Sequence, residues 1–152
     1  MLPEAIVHYI TRTFAGVAVT EDTVNRFFSY EPGANDLPAR GFLPFATLVM
    51  NDAYDQASQL ERDGIFRLNV GLRAETYRAW FGPQPAAPGD AGVVSGHDFA
   101  ALDQLMPHPV YASRSWVCVL SPSASTFEAV KPLLAEAYHL AARRHNARVK
   151  RK

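Results

Sequence analysis

The segment Ile65–Gly71 (IFRLNVG) alternates strictly between two kinds of side chain. Positions 66, 68 and 70 are apolar, whereas Arg67 and Asn69 fall between them. Because successive side chains of a strand point to opposite faces, this pattern predicts a strand with one face on a core. The other face places two polar side chains side by side, and these must meet either solvent or a site.

Three further segments have the composition of strands. Two of them are Phe27–Tyr30 and Phe42–Met50. The stretch between them begins with Glu31–Asp36, which is dense in turn-forming residues, so the two segments predict a hairpin with a long loop. Pro44 has no N–H to donate, so we expect it near the start of its strand or at a bulge. Ser115–Leu120 (SWVCVL) predicts the fourth strand.

Helices are predicted in four places by apolar residues at spacings of three and four. The first begins near Pro3, the second covers Arg73–Phe81, and the third covers His97–Met106. Residues 83–96 separate the last two with three Pro and three Gly, and predict the longest loop, a candidate flap.

The C-terminal helix has a capping-box pattern at its start. Ser125 and Glu128 have the spacing at which each side chain bonds the other's backbone N–H. Pro132 interrupts the pattern seven residues after Ser125. It predicts either a kink or a true start nearer Lys131.

The order of these elements predicts an α+β fold, with a mostly antiparallel sheet of about four to five strands flanked by helices. The length of 152 residues favours one domain. We assign residues 1–146 to that domain and residues 147–152 to a basic C-terminal tail.

The charge is balanced in total but uneven along the chain. Arg143–Lys152 holds six of the fifteen basic residues and no acid, so residues 1–142 carry nine bases, fifteen acids and a formal charge of −6. Proteins that bind duplex DNA usually have a basic face on the folded domain, which makes duplex DNA an unlikely partner.

Several protein classes are excluded by what the sequence lacks. No apolar run approaches the roughly 18–20 residues of a membrane span, and Met1–Phe14 has no signal-peptide features. The one cysteine, Cys118, cannot form an internal disulfide, and its strand position predicts a buried, inert thiol. We therefore expect a reduced, cytoplasmic protein with no membrane contact.

Two of the five histidines stand out by their surroundings. His97 borders the long loop beside Asp98, and His108 lies between two prolines. Either could serve as an acid, a base or a ligand contact, or could only bond backbone in a packed turn. No histidine has metal-binding spacing to another, so we expect neither a metal nor a cofactor.

A group of polar and aromatic side chains could form one ligand pocket if the third and fourth strands are neighbours. The candidate ligand-binding residues are Arg67, Asn69, His97, His108, Tyr111 and Trp116. The alternative is structural: Arg67 would pair with Asp55 and hold down the preceding loop. No catalytic residue is assigned.

Several stretches resemble a family of small, uncharacterised bacterial proteins, a domain of unknown function. They are FFSYEP (27–32), PFATLVMND (44–52), DGIFRLNVG (63–71), GHDF (96–99), LMPHPVYASRSWVCVLSPS (105–123) and PLLAEAYHLAARR (132–144). The resemblance implies no activity.

A more distant likeness is to the MmcQ/YjbR-like proteins with their double-wing fold. It rests on the order of elements, on Trp116 opening a late strand and on the pair Ala137-Tyr138 in the last helix.

Three functions follow from these observations. The leading one is a non-catalytic domain that binds a small molecule or a protein, as a monomer or homodimer. The first alternative is a double-wing nucleic-acid binder that uses the tail and the strand aromatics. The second is a small hydrolase-like enzyme that uses His97 or His108 with an aspartate.

Overall fold

Three α-helices and six β-strands make up the part of the chain that the computed structural model describes, residues 1–33, 43–86 and 96–150. In chain order they are α1 (Pro3–Thr13), β1 (Val17–Asp22), β2 (Asn25–Tyr30), β3 (Ala46–Val49), β4 (Arg67–Gly71), α2 (Ala74–Phe81), β5 (Met106–Pro107), β6 (Trp116–Leu120) and α3 (Ala124–Lys150). A short 3₁₀ helix, Ala112–Arg114, precedes β6.

The strands form one antiparallel sheet in the order β1-β2-β3-β4-β6-β5. This confirms the predicted α+β class and the antiparallel pairing of β2 with β3. The sheet has six strands rather than four to five, because β1 and β5 add to the predicted ones. Pro44 precedes the first residue of β3, so its missing N–H removes no bond from the ladder.

One side of the sheet, the helix face, packs against α1 and α3. Its strand side chains are fully buried and apolar, among them Phe28, Leu48, Leu68 and Val119. The helices contribute Ile6, Ile10, Phe127, Val130 and Leu134 to the same core. The predicted apolar faces of both helices are therefore confirmed.

The opposite side, the loop face, is covered by the connecting segments 51–66 and 96–115 instead of helices. A smaller apolar cluster forms there from Val49, Leu60, Phe99, Met106, Cys118 and Leu120. The register places Arg67 opposite Leu120 and Asn69 opposite Cys118, so the two polar side chains of β4 belong to this face.

The helix predicted over His97–Met106 is wrong. The Asp98 carboxylate accepts a hydrogen bond from the Ala100 N–H at 3.1 Å, and Asp103 adopts a left-handed φ of 60°. The Asp103 N–H then donates to the Leu120 carbonyl at 2.7 Å. Local side-chain bonds and the bond to β6 thus replace the helical ladder that the apolar spacing predicts. Residues 87–95 of the predicted flap lie outside the described residues.

The predicted capping box and the predicted start near Lys131 are also wrong, because α3 begins at Ala124 after Ser123. The Ser123 hydroxyl accepts from the Thr126 N–H at 3.2 Å, which makes Ser123 the N-cap. Glu128 instead forms an ion pair with Lys131. Pro132 lies inside α3, which continues to Lys150. No helix among the described residues is both long enough and apolar enough to cross a membrane.

Candidate functional site

A cavity of about 380 Å³ opens on the loop face between β3, β4 and the segment before β6. We call it the loop-face cavity. Its lining residues are Phe27, Leu43, Pro44, Thr47, Val49, Tyr54, Asp55, Arg67, Asn69, His108, Val110, Tyr111, Arg114 and Trp116. The volume is within the range of small-ligand sites, roughly 300–1,000 Å³, and the lining mixes apolar walls with a few polar groups, as such sites do.

Five of the six predicted site residues meet in this cavity: Arg67, Asn69, His108, Tyr111 and Trp116. His97 does not line it. The His97 ring packs against the rings of Phe81 and Phe99, with centroid distances of 6.1 and 5.9 Å.

Arg67 forms the charged floor of the cavity with Asp55. The two guanidinium Nη atoms donate to the two carboxylate oxygens at 3.0 and 2.7 Å, a bidentate pair. The Arg67 side chain is 1% exposed and that of Asp55 is 13% exposed. The structural alternative for Arg67 is therefore present, and the same pair also lines the cavity.

Further hydrogen bonds fix this floor in place. Arg67 Nη1 also donates to the Ser58 hydroxyl at 3.0 Å, and Arg67 Nε donates to Asn69 Oδ1 at 2.9 Å. Asn69 Nδ2 in turn donates to the Thr47 hydroxyl at 2.9 Å. The chain of bonds runs from the segment before β4 across β4 to β3, so every member is held by a neighbour.

Hydrogen bonds hold the loop that carries Asp55 on both sides of that residue. Asn25, buried in β2, accepts from the Met50 N–H at 2.7 Å through its side-chain oxygen. The Asp52 carboxylate accepts from the Leu60 N–H at 2.9 Å. These two bonds position Asp55 for Arg67 without touching either charge.

Two opposing effects set the pKa of Asp55. Burial alone would raise this pKa, but the hydrogen bonds and positive charge of Arg67 outweigh it and hold the pKa below its ordinary value. The carboxylate therefore stays ionised and paired at neutral pH.

His108 is 3% exposed, and its hydrogen bonds determine which tautomer is present. Nδ1 accepts from the backbone N–H groups of Val110 and Tyr111, both at 3.0 Å. The ring proton is therefore on Nε2. Burial, together with the positive charge of Arg67, lowers the pKa of His108 to about 3, so the ring is neutral at physiological pH.

Trp116 forms one wall because Gly71, its partner across the β4–β6 ladder, has no side chain. A Cβ on Gly71 would lie 2.8 Å from the Trp116 ring, closer than van der Waals contact permits. The glycine thus leaves the space into which the indole packs.

Arg114 and two tyrosines form the exposed rim of the cavity. Tyr54 donates its hydroxyl hydrogen bond to Asp22, and this bond raises the pKa of Tyr54. Its ring packs edge-on against Phe27 at 5.8 Å. Arg114 forms no ion pair with any described residue.

Cys118 lies on the same face but is fully buried. Its thiol donates to the Pro107 carbonyl at a sulfur–oxygen distance of 3.6 Å, and burial raises its pKa to about 12. A thiol in this state is a poor nucleophile. Within the described ranges, no three His, Cys, Asp or Glu side chains cluster as metal ligands would.

Sequence reasoning missed four members of this site: Thr47, Ser58, Tyr54 and Arg114. The alternation of β3 could have indicated Thr47, since it shares a face with Val49 in an otherwise apolar run. No local pattern marks the other three, because they come from irregular segments.

Comparison with known proteins gives one match. No curated protein and no solved structure matches the chain. A family model does match it, over residues 1–150, and its description is "Family of unknown function (DUF6194)". The resemblance to an uncharacterised family is thereby confirmed, and the chain belongs to DUF6194.

Proposed function

We propose that the chain binds a small molecule in the loop-face cavity and does not transform it. The observation that carries the proposal is His108, whose buried ring lines the cavity with an N–H that bonds no described residue. A ligand acceptor could bond this N–H inside the cavity, where a hydrogen bond is electrostatically stronger than in bulk water.

The fixed floor supports a binding role. Arg67, Asn69 and Asp55 are already held by hydrogen bonds, so a ligand would not have to order them. Preorganised groups lose little conformational entropy on binding, which raises affinity. A concave cavity of this size also suits a small molecule better than it suits the flatter surface of a protein partner.

The hydrolase alternative has less support because His108 is in the wrong protonation state. A general base needs a free lone pair on the nitrogen that faces the substrate. Here Nδ1 is occupied by two backbone N–H groups and Nε2 carries the proton. Asp55, the acid nearest to this ring in the cavity lining, is committed to Arg67.

The nucleic-acid alternative has less support because residues 1–142 carry a formal charge of −6 and the β2 aromatics do not form one open face. Phe28 is fully buried in the core. Phe27 packs against Tyr54, and Tyr30 packs against Tyr138 at 5.5 Å. Phe28 therefore cannot stack on a base, and the surfaces that Phe27 and Tyr30 keep line two separate cavities rather than one continuous stacking face.

The test is a screen of fragment-sized anions, neutral compounds and cations by amide chemical shifts in NMR. We expect at least one compound to shift the amide resonances of Val110 and Tyr111, which bond His108. Val110→Trp fills the cavity and should abolish these shifts. Leu102→Trp, an equally large substitution at an exposed loop residue that does not line the cavity, should preserve them.

The proposal fails if no compound shifts these resonances. It also fails if the shifts persist in Val110→Trp while that variant retains the wild-type spectrum elsewhere.

A further inference from the structure

In the loop-face cavity, most hydrogen-bond acceptors are already bonded to protein groups, whereas several donors are not. This difference indicates the chemical class of the ligand. We infer that the cavity takes a monocarboxylate with an aromatic body, its carboxylate bound by His108 Nε2–H and Arg114. This inference rests on the proposed function and adds the chemical class of the ligand.

The strong acceptors on the cavity floor are already satisfied by protein donors. Both Asp55 oxygens accept from Arg67, and one of them also accepts from the Ala57 N–H at 3.2 Å. Asn69 Oδ1 accepts from Arg67 Nε. His108 Nδ1 accepts from two backbone groups. A ligand that offers donors would therefore find few free acceptors on this floor.

The donors, in contrast, are in excess. His108 Nε2–H and the guanidinium of Arg114 line the cavity and have no acceptor among the described residues. Arg67 has five N–H groups, of which four donate to described residues. An acceptor-only group such as a carboxylate matches this set.

The charge of the lining favours a single negative charge. Arg67 and Asp55 cancel as a pair, and no other acid is present among the described residues of the lining. Arg114 then leaves one uncompensated positive charge at the rim. Its planar fork of N–H donors suits a carboxylate in particular.

The walls indicate the body of the ligand. Among the described lining residues, four contribute aromatic rings: Phe27, Tyr54, Tyr111 and Trp116. Aromatic side chains pack favourably on other rings in edge-on or offset geometry. The cavity therefore fits a ring better than a flexible polar chain.

The test compares phenylacetate with its neutral and cationic counterparts, phenylacetamide and phenethylamine. Trp80→Phe serves as background, because it leaves Trp116 in the cavity wall as the sole tryptophan. Titrations followed by Trp116 fluorescence should show phenylacetate binding about tenfold or more tightly than phenylacetamide, since hydrogen bonds that involve an ionised group are roughly twice as strong as those between neutral groups. Phenethylamine should not bind.

Two arginine variants test whether Arg114 supplies the positive charge that binds the carboxylate. Arg114→Gln should weaken phenylacetate binding about tenfold and leave phenylacetamide unchanged. Arg78→Gln, which removes an exposed arginine of α2 that does not line the cavity, should change neither.

Equal or tighter binding of phenylacetamide overturns the inference and leaves the proposed function standing. An unchanged phenylacetate affinity in Arg114→Gln also overturns it. Failure of phenylacetate to bind, while members of the wider screen occupy the cavity, overturns the inference alone. Failure of every compound to bind overturns the proposed function as well.

Discussion

Arg67 places a full charge on a central strand of the sheet, and its burial depends on its hydrogen-bond partners. Asp55 and Ser58 reach it from the preceding connection, and Asn69 meets it from the next position on the same face. Since arginine cannot lose its proton in a protein, these partners are a condition for folding with this side chain inside.

Arg67→Ala should lower the free energy of unfolding by about 3–5 kcal/mol, because Asp55 is left mostly buried without its partner. Urea unfolding measures this loss. The matched control is Arg78→Ala, whose ion pair with Glu75 is exposed and 3.9 Å long. It should stay within about 0.5 kcal/mol of wild type. An equally small change in Arg67→Ala would contradict a structural role for the pair.

His108→Asn should make stability less dependent on pH in mildly acidic solution. The pKa of His108 is about 3 when folded, against an ordinary value of 6.5. Between these values the unfolded chain binds a proton that the folded chain does not. The free energy of unfolding therefore falls as the pH falls, by at most about 1.4 kcal/mol per pH unit.

Asparagine does not titrate, and its side-chain oxygen can still accept the two backbone N–H groups as an Asx turn. Unfolding followed at several pH values between about 6 and 4 should thus show a shallower slope for the variant. The lowered pKa of Asp55 adds to the slope below about pH 5 in both proteins, so it does not account for a difference between them. Identical slopes would show that His108 titrates normally.

The floor of the site could be predicted from sequence, and its rim could not. Alternation in a strand assigns a residue to a face, so the sequence places Arg67 and Asn69 together, and it offers Asp55 in the preceding connection as a partner for Arg67. Tyr54 and Arg114 reach the cavity from irregular segments, where no periodicity relates sequence to direction. Their positions depend on the packing of both connections, which is a property of the whole fold.

At the scale of elements, the sequence-based predictions of helices are wrong where side chains compete with the backbone for hydrogen bonds. Residues 97–106 have the apolar spacing of a helix, but Asp98 and Asp103 satisfy nearby N–H groups in other ways. The predicted start of α3 differs from the observed start by two residues for a related reason. Three serines, at positions 121, 123 and 125, are compatible with capping, and the bonds of Ser123 with Thr126 and Asp103 distinguish it from the other two.

Ser123→Ala should destabilise the chain by about 1 kcal/mol, because it removes the acceptor for the Thr126 N–H. Ser125→Ala, inside the first turn of α3, should have almost no effect. Thermal or urea unfolding of the two variants side by side decides between the caps. A larger loss for Ser125→Ala would restore the capping box.

Gly71→Ala should disturb the wall of the cavity from within the sheet. The new methyl group would lie 2.8 Å from the Trp116 ring, so the indole must move. Overpacking of this kind costs about 1–3 kcal/mol. With Trp80→Phe as background, the emission maximum of Trp116 should shift as well. An unchanged spectrum with unchanged stability would mean that the ring does not lie against Gly71.

At the scale of the whole molecule, the two faces of the sheet are covered differently. Helices α1 and α3 close the helix face with a continuous apolar core, and connecting segments cover the loop face around the polar floor. The structure thus separates the part that supplies most of the buried apolar surface from the part that carries the candidate site.

Duplex DNA should bind the chain more weakly than micromolar at about 150 mM salt, because residues 1–142 carry a formal charge of −6. Fluorescence anisotropy with a labelled duplex measures this. Titration at low salt provides the control, since contact through the C-terminal arginines alone would disappear steeply as salt is added. Micromolar affinity at the higher salt would favour the double-wing alternative.

The two edge strands of the sheet, β1 and β5, also determine whether copies of the chain can pair with one another. At one end, β1 finishes in the exposed acids Glu21 and Asp22. At the other, β5 is only two residues long, and one of them is Pro107, which has no N–H to offer. Short strands, charges and proline are the features that keep a sheet from recruiting further strands. Edge-to-edge aggregation is therefore disfavoured at both β1 and β5.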